Sequence, residues 1–168
     1  MPKNKYLDID ITNLPTPAFI VDERLLKRNL ETLKSVIDRT GCKILLAQKG
    51  FSMFYFYPLI SEYLNGTTAS SLFEARLGYE EMELKNPNKK LETHIFNPSY
   101  RKDEFEEIMK ITNHIVFNSF NQWRKFKDKV KKFEEKNDKN DKQKTLSAIA
   151  FEMPDGKIIT GKKSSLMD

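Results

Sequence analysis

Short apolar runs of strand length alternate along this chain with stretches whose apolar residues recur every three or four positions. That alternation confines it to folds built from βα units. PAFIVD (17–22) is expected as a first strand, and Asp22 is placed to cap a helix over about 23–39. Leu25, Leu26, Leu30, Leu33, Val36 and Ile37 share one face of that helix, and Gly41 stands just past its end. KILLAQ (43–48) is nearly all apolar, as parallel strands buried on both faces are. FSMFYFYPLISEYL (51–64) reads as a helix interrupted by Pro58.

The same alternation continues downstream. Thr67 to Ala69 can form a short strand, followed by a helix in which Ser71 and Glu74 have capping-box spacing. THIFN (93–97) and HIVFN (114–118) are further strands, with EFEEIMKI a helix between them. Trp123, Phe126, Val130 and Phe133 then make one helical stripe. The end, LSAIAFEMPDGKIITG, reads as two strands around the turn Pro154-Asp155-Gly156. Consecutive units of this kind build either an open parallel α/β sheet or a (β/α)8 barrel. A whole barrel needs about 250 residues, so a chain of 168 residues is expected to hold part of one.

Charge narrows the function classes. Residues 124–144 carry an excess of five positive charges, equal to the net +5 of the whole chain. The stretch is Lys-dominated and mixed in sign, which fits a solvated helix end and a linker. A nucleic-acid partner acting through it is the alternative, and is not expected. No apolar run approaches the ~20 residues of a membrane span, and the opening residues lack the apolar core of a secretory signal. A single cysteine, Cys42, allows no internal disulfide and fits a cytoplasmic setting.

Few residues invite chemistry. His94 and His114 each lie in a strand, without a second histidine or cysteine at ligand spacing, so no metal site is expected. Gly156 to Lys162 imitates a phosphate loop, but Lys163 stands where a hydroxyl is needed for magnesium. Lys49 is the stronger candidate. It ends the KILLAQ strand, and the carboxyl ends of parallel strands face the ligand crevice or barrel mouth. A desolvated amine there has Schiff-base chemistry.

The blocks TPAFIVDERLLKRNL, TGCKILLAQKGFS, LNGTTASSLFEARLGYE, HIFNPSY and HIVFNSFNQW, in this order over about 14–130, resemble the start of the carboxynorspermidine decarboxylases. These are pyridoxal-phosphate enzymes of the alanine-racemase-like barrel fold, related to the ornithine and diaminopimelate decarboxylases. The resemblance implies release of CO2 from carboxynorspermidine or carboxyspermidine in polyamine biosynthesis. It makes Lys49 the catalytic lysine joined to the cofactor, and places Thr68 and Glu74 in the tract bordering that cofactor. Thr68 and Glu74 match positions where related decarboxylases have acids, and Thr68 is not acidic. For Glu74 a purely structural capping role is the competing reading. Asn97 and Asn118 match later strand ends, with no catalytic role assigned.

The resemblance also implies a small-molecule polyamine amino-acid substrate and a homodimer in the full-length family. It stops at about residue 144, giving an expected division into a partial barrel at 1–133, a Lys-rich linker at 134–144 and a hairpin-like tail at 145–168. The family's ring-stacking histidine, phosphate cradle and second domain are not matched. The chain is therefore expected to be a fragment, inactive alone. A non-catalytic half-barrel that binds the cofactor is the alternative reading.

Overall fold

The computed structural model describes residues 14–138, 147–148, 151–152 and 158–159. The chain divides into two compact units, Met1–Cys42 and Lys43–Asp168.

The first unit is dominated by α1 (Glu23–Thr40). Asp22 is its N-cap, with Oδ1 accepting from the backbone N–H of Arg24 at 2.9 Å and of Leu25 at 3.3 Å. Those two donors have no partner inside the helix, so the carboxylate satisfies them and complements the positive helix end. Gly41 closes the helix in the left-handed region, φ 70°, donating to the Ile37 carbonyl. Leu30 is buried, whereas Leu33 on the same stripe is 38% exposed. Residues 17–22 form no strand, and Phe19 is fully exposed. This corrects the reading of PAFIVD as a first strand. An apolar run becomes a strand only where a neighbour takes its backbone hydrogen bonds.

The second unit is a parallel sheet with helices between its strands. In chain order it contains β1 (Leu46–Ala47), a 3-10 turn (Phe54–Phe56), α2 (Tyr57–Ile60), β2 (Gly66–Ala69) and α3 (Leu72–Gly78). A π-helical turn (Tyr79–Glu83) extends α3, and β3 (Glu92–Phe96), α4 (Phe105–Ile111), β4 (His114–Val116) and α5 (Phe120–Asp138) follow. Pro58 lies in the first turn of α2, where no backbone N–H is needed, so it starts that helix and does not interrupt it. Beyond α5, β5 (Ser147–Ala148) pairs in parallel with β4. β6 (Phe151–Glu152) and β7 (Ile158–Ile159) pair antiparallel.

Strand order decides between the two architectures. Each strand lies beside its predecessor, β1-β2-β3-β4-β5, all parallel. A doubly wound open sheet reverses its order at a switch point and puts helices on both faces. Sequential order with right-handed crossovers keeps every helix on one face, as in a barrel wall. The sheet therefore has the order of part of a (β/α)8 barrel wall.

Side-chain alternation agrees. Thr67, Thr93, Ile95 and Ile115 are buried on one face, against the helices. The core there is aromatic: Phe105 and Phe126 stack with centroids 4.1 Å apart, and Tyr100 meets Phe105 and Phe117 edge-on. On the opposite face Thr68, Glu92, His94, His114 and Val116 are only partly buried, and Phe96 is 42% exposed.

α5 runs to Asp138, into the stretch expected as linker. Phe126 and Val130 anchor it, and its Lys and Glu residues are good helix formers. The remainder of 134–144, the Pro154-Asp155-Gly156 turn and most of the tail lie outside the described residues. Ser147–Ala148, assigned by sequence to the tail, supplies a strand to the parallel sheet. Among the described residues no helix is long and apolar enough to cross a membrane.

Candidate functional site at the carboxyl ends of the strands

Lys49 lies in the turn that follows β1 and is exposed. The turn is closed by Gly50 and Phe51, whose N–H groups donate to the Ala47 carbonyl at 2.9 and 3.2 Å. The residue before Lys49 fixes its position. Gln48 is buried, its backbone N–H donates to the Thr68 carbonyl at 3.2 Å, and its Nε2 donates to the Glu74 carbonyl at 2.8 Å. Its Oε1 accepts from the Tyr57 hydroxyl at 3.0 Å. One buried amide, at the position before Lys49, thus joins β1, α2, β2 and α3. Among the described residues no hydrogen bond or ion pair engages the Lys49 amine. The desolvation expected for Lys49 is not present.

Thr68 is half-buried on β2, in register with Ala47 and His94. Its partner Ala47 stands two residues before Lys49. Glu74 forms the capping box. The Ser71 hydroxyl accepts from the Glu74 N–H at 3.3 Å, and Glu74 Oε2 accepts from the Ser70 N–H at 2.6 Å. Its carboxylate therefore orders the loop at the carboxyl end of β2. Burial, and secondarily the Glu74 charge, pushes the Tyr57 hydroxyl up to about 12.

Asn97 and Asn118 hold the loops after β3 and β4 together. Asn118 Nδ2 donates to the Pro98 carbonyl at 2.9 Å, and Gln122 Nε2 donates to the Asn97 and Pro98 carbonyls. The buried Tyr100 hydroxyl bonds the Val116 carbonyl at 2.8 Å beneath them.

The structure also joins residues that the sequence reading kept apart. Parallel register puts His94 opposite His114, with ring centroids 4.1 Å apart. Glu92 Oε2 lies 2.9 Å from His94 Nε2 and 3.5 Å from His114 Nε2, while its Oε1 pairs with Lys43. Parallel register thus brings together two histidines that linear spacing keeps apart. Only strand register, which linear spacing does not display, could have revealed the pair. Burial holds His94 below the ordinary imidazole value, against the raising influence of Glu92.

This frame can be compared with known proteins. Over 119 residues the chain is 40% identical to the carboxynorspermidine/carboxyspermidine decarboxylase of Campylobacter jejuni, covering 71% of the chain and 29% of that enzyme. The chain is a relative of the carboxynorspermidine decarboxylases over part of their length. It is also 36% identical over 121 residues to the carboxyaminopropylagmatine decarboxylase of Synechocystis, covering 72% of the chain and 30% of that enzyme. A third relative, the carboxynorspermidine/carboxyspermidine decarboxylase of Herminiimonas arsenicoxydans, is 34% identical over 67% of the chain and 29% of its own length. The chain thus spans about three tenths of the length of the curated relatives it matches.

The crystal structure of the Campylobacter jejuni carboxynorspermidine decarboxylase complexed with norspermidine superposes with a TM-score of 0.63 at 37% identity. The superposition covers 79% of the chain and 31% of that structure. No protein-family model matches the chain. The likeness to this decarboxylase agrees with the barrel wall read from strand order and with the family resemblance read from the sequence blocks.

Proposed function

We propose that this chain carries the lysine-bearing portion of a pyridoxal-phosphate-dependent decarboxylase acting on carboxynorspermidine or carboxyspermidine, in polyamine biosynthesis. The single observation that supports this most is the placing of Lys49. In a chain 40% identical to such an enzyme, it is an unengaged amine at the carboxyl end of the first barrel strand.

The residues present fit the cofactor at its aldehyde end. Lys49 would hold it through its amine, and Thr68 and Glu74 border the same strand ends. When bound, the cofactor supplies an electron sink for the pair left behind as CO2 departs. The chain's own contribution is position. Gln48 holds the turn beneath Lys49, and Glu74 holds Ser70 at the neighbouring strand end. Such preorganisation keeps a reacting group in place without reorganisation during the reaction.

The test adds pyridoxal phosphate to the 168-residue chain and to Lys49→Ala, following the cofactor's visible absorption. A red-shifted band in the unaltered chain, absent from Lys49→Ala, supports the reading, and equal spectra overturn it. Release of CO2 from carboxynorspermidine then separates a decarboxylase from a half-barrel that binds the cofactor without turnover.

A further inference from the structure

We infer that Glu92, His94 and His114 form a binding site for a single zinc-class divalent cation on the open face of the sheet. The donors are the chain's only two histidines and a carboxylate. Parallel pairing of β3 with β4 brings all three to one place. The three ligand atoms lie within 4.8 Å of one another, and all three residues are partly buried.

The donor set has the right chemistry. Two imidazole nitrogens and one carboxylate oxygen are a set that zinc accepts while leaving a fourth position open. Ligand distances of about 2.0–2.2 Å place tetrahedral donors roughly 3.2–3.6 Å apart. Of the separations from Glu92 Oε2, 3.5 Å falls in that range and 2.9 Å lies just below it. Glu92 Oε1 is already held by Lys43, which orients the carboxylate from outside the ligand set, as outer-shell partners do.

The position argues in the same direction. Inward layers of a parallel barrel are dominated by bulky branched apolar residues. Here the layer through Ala47 and Thr68 continues into His94 and His114. A bound cation would be held by both rings and the carboxylate together. It would also tie β3 to β4. Lys49 lies two residues beyond Ala47, toward the carboxyl ends of the strands, and is not among the donors.

The test uses the untagged, metal-free 168-residue chain. Titration with Zn2+ is followed in the 1H–15N NMR signals of the two imidazoles, and titration with Co2+ in its visible absorption. Both rings are expected to shift together and saturate at one ion per chain. Affinity should fall at least about tenfold in His114→Gln and in Glu92→Gln, since even outer-shell changes cost about 10–100-fold. Cys42, an exposed thiol, is controlled with Cys42→Ser, which should bind as the unaltered chain does. A shift in one ring or neither, or binding lost in Cys42→Ser, overturns the inference without recourse to the histidine variants.

Discussion

The Tyr57 hydroxyl donates to Gln48 Oε1 at 3.0 Å, and Gln48 is the residue immediately before Lys49. Tyr57 and Gln48 are both buried, 0% and 1% exposed, so neither group has water as an alternative partner. Removing the hydroxyl leaves a buried amide oxygen unpaired, at a cost of about 1–3 kcal/mol. Tyr57→Phe should therefore lose about that much stability in denaturant unfolding. Glu62→Gln, at an exposed position, should change it by less than about 0.5 kcal/mol.

The same hydroxyl makes a prediction in alkali. Its value is raised from 10.0 to about 12, so the folded state favours the neutral phenol. The resulting stability is fully present below about pH 10, and is lost as pH rises through about 12. Unfolding midpoints should fall across that window, and fall less steeply in Tyr57→Phe. A phenolate absorbance titration should show a step near pH 12 that Tyr57→Phe loses.

Gly78 tests how tightly α3 sits on β2. A Cβ there would lie 2.1 Å from Thr67 Oγ1 and 3.1 Å from Gln48 Nε2. Gly78→Ala should destabilise the chain by about 1–3 kcal/mol, as overpacking does. Thr67→Ala removes the clashing hydroxyl, itself buried without a hydrogen-bond partner. The double variant should recover part of the loss, and additive losses would contradict this packing.

Glu74 separates a structural from a cofactor role. If its carboxylate acts only through the capping box, Ser71→Ala and Glu74→Ala should each cost on the order of 1 kcal/mol. Cofactor affinity should then be unchanged in both. A cofactor role predicts that Glu74→Ala weakens cofactor binding while Ser71→Ala does not.

The sequence made the βα alternation legible because burial imposes short apolar runs on strands and a periodic stripe on helices. Asp22, Gly41 and the Ser71–Glu74 pair were readable because helix ends make specific chemical demands. PAFIVD misled because its composition carries no information about whether a neighbouring strand is present. The Glu92–His94–His114 cluster was hidden for a related reason. It depends on parallel register across an intervening helix, and linear spacing is blind to register. Gln48 was hidden too, since a glutamine at a strand end does not announce four-element bonding.

Borohydride reduction of the chain loaded with pyridoxal phosphate, followed by peptide mapping, addresses Lys49 most directly. The account predicts one stable adduct, on Lys49, formed at near-stoichiometric cofactor. Adducts spread over the exposed lysines of α5, with Lys49 unmodified, would contradict it.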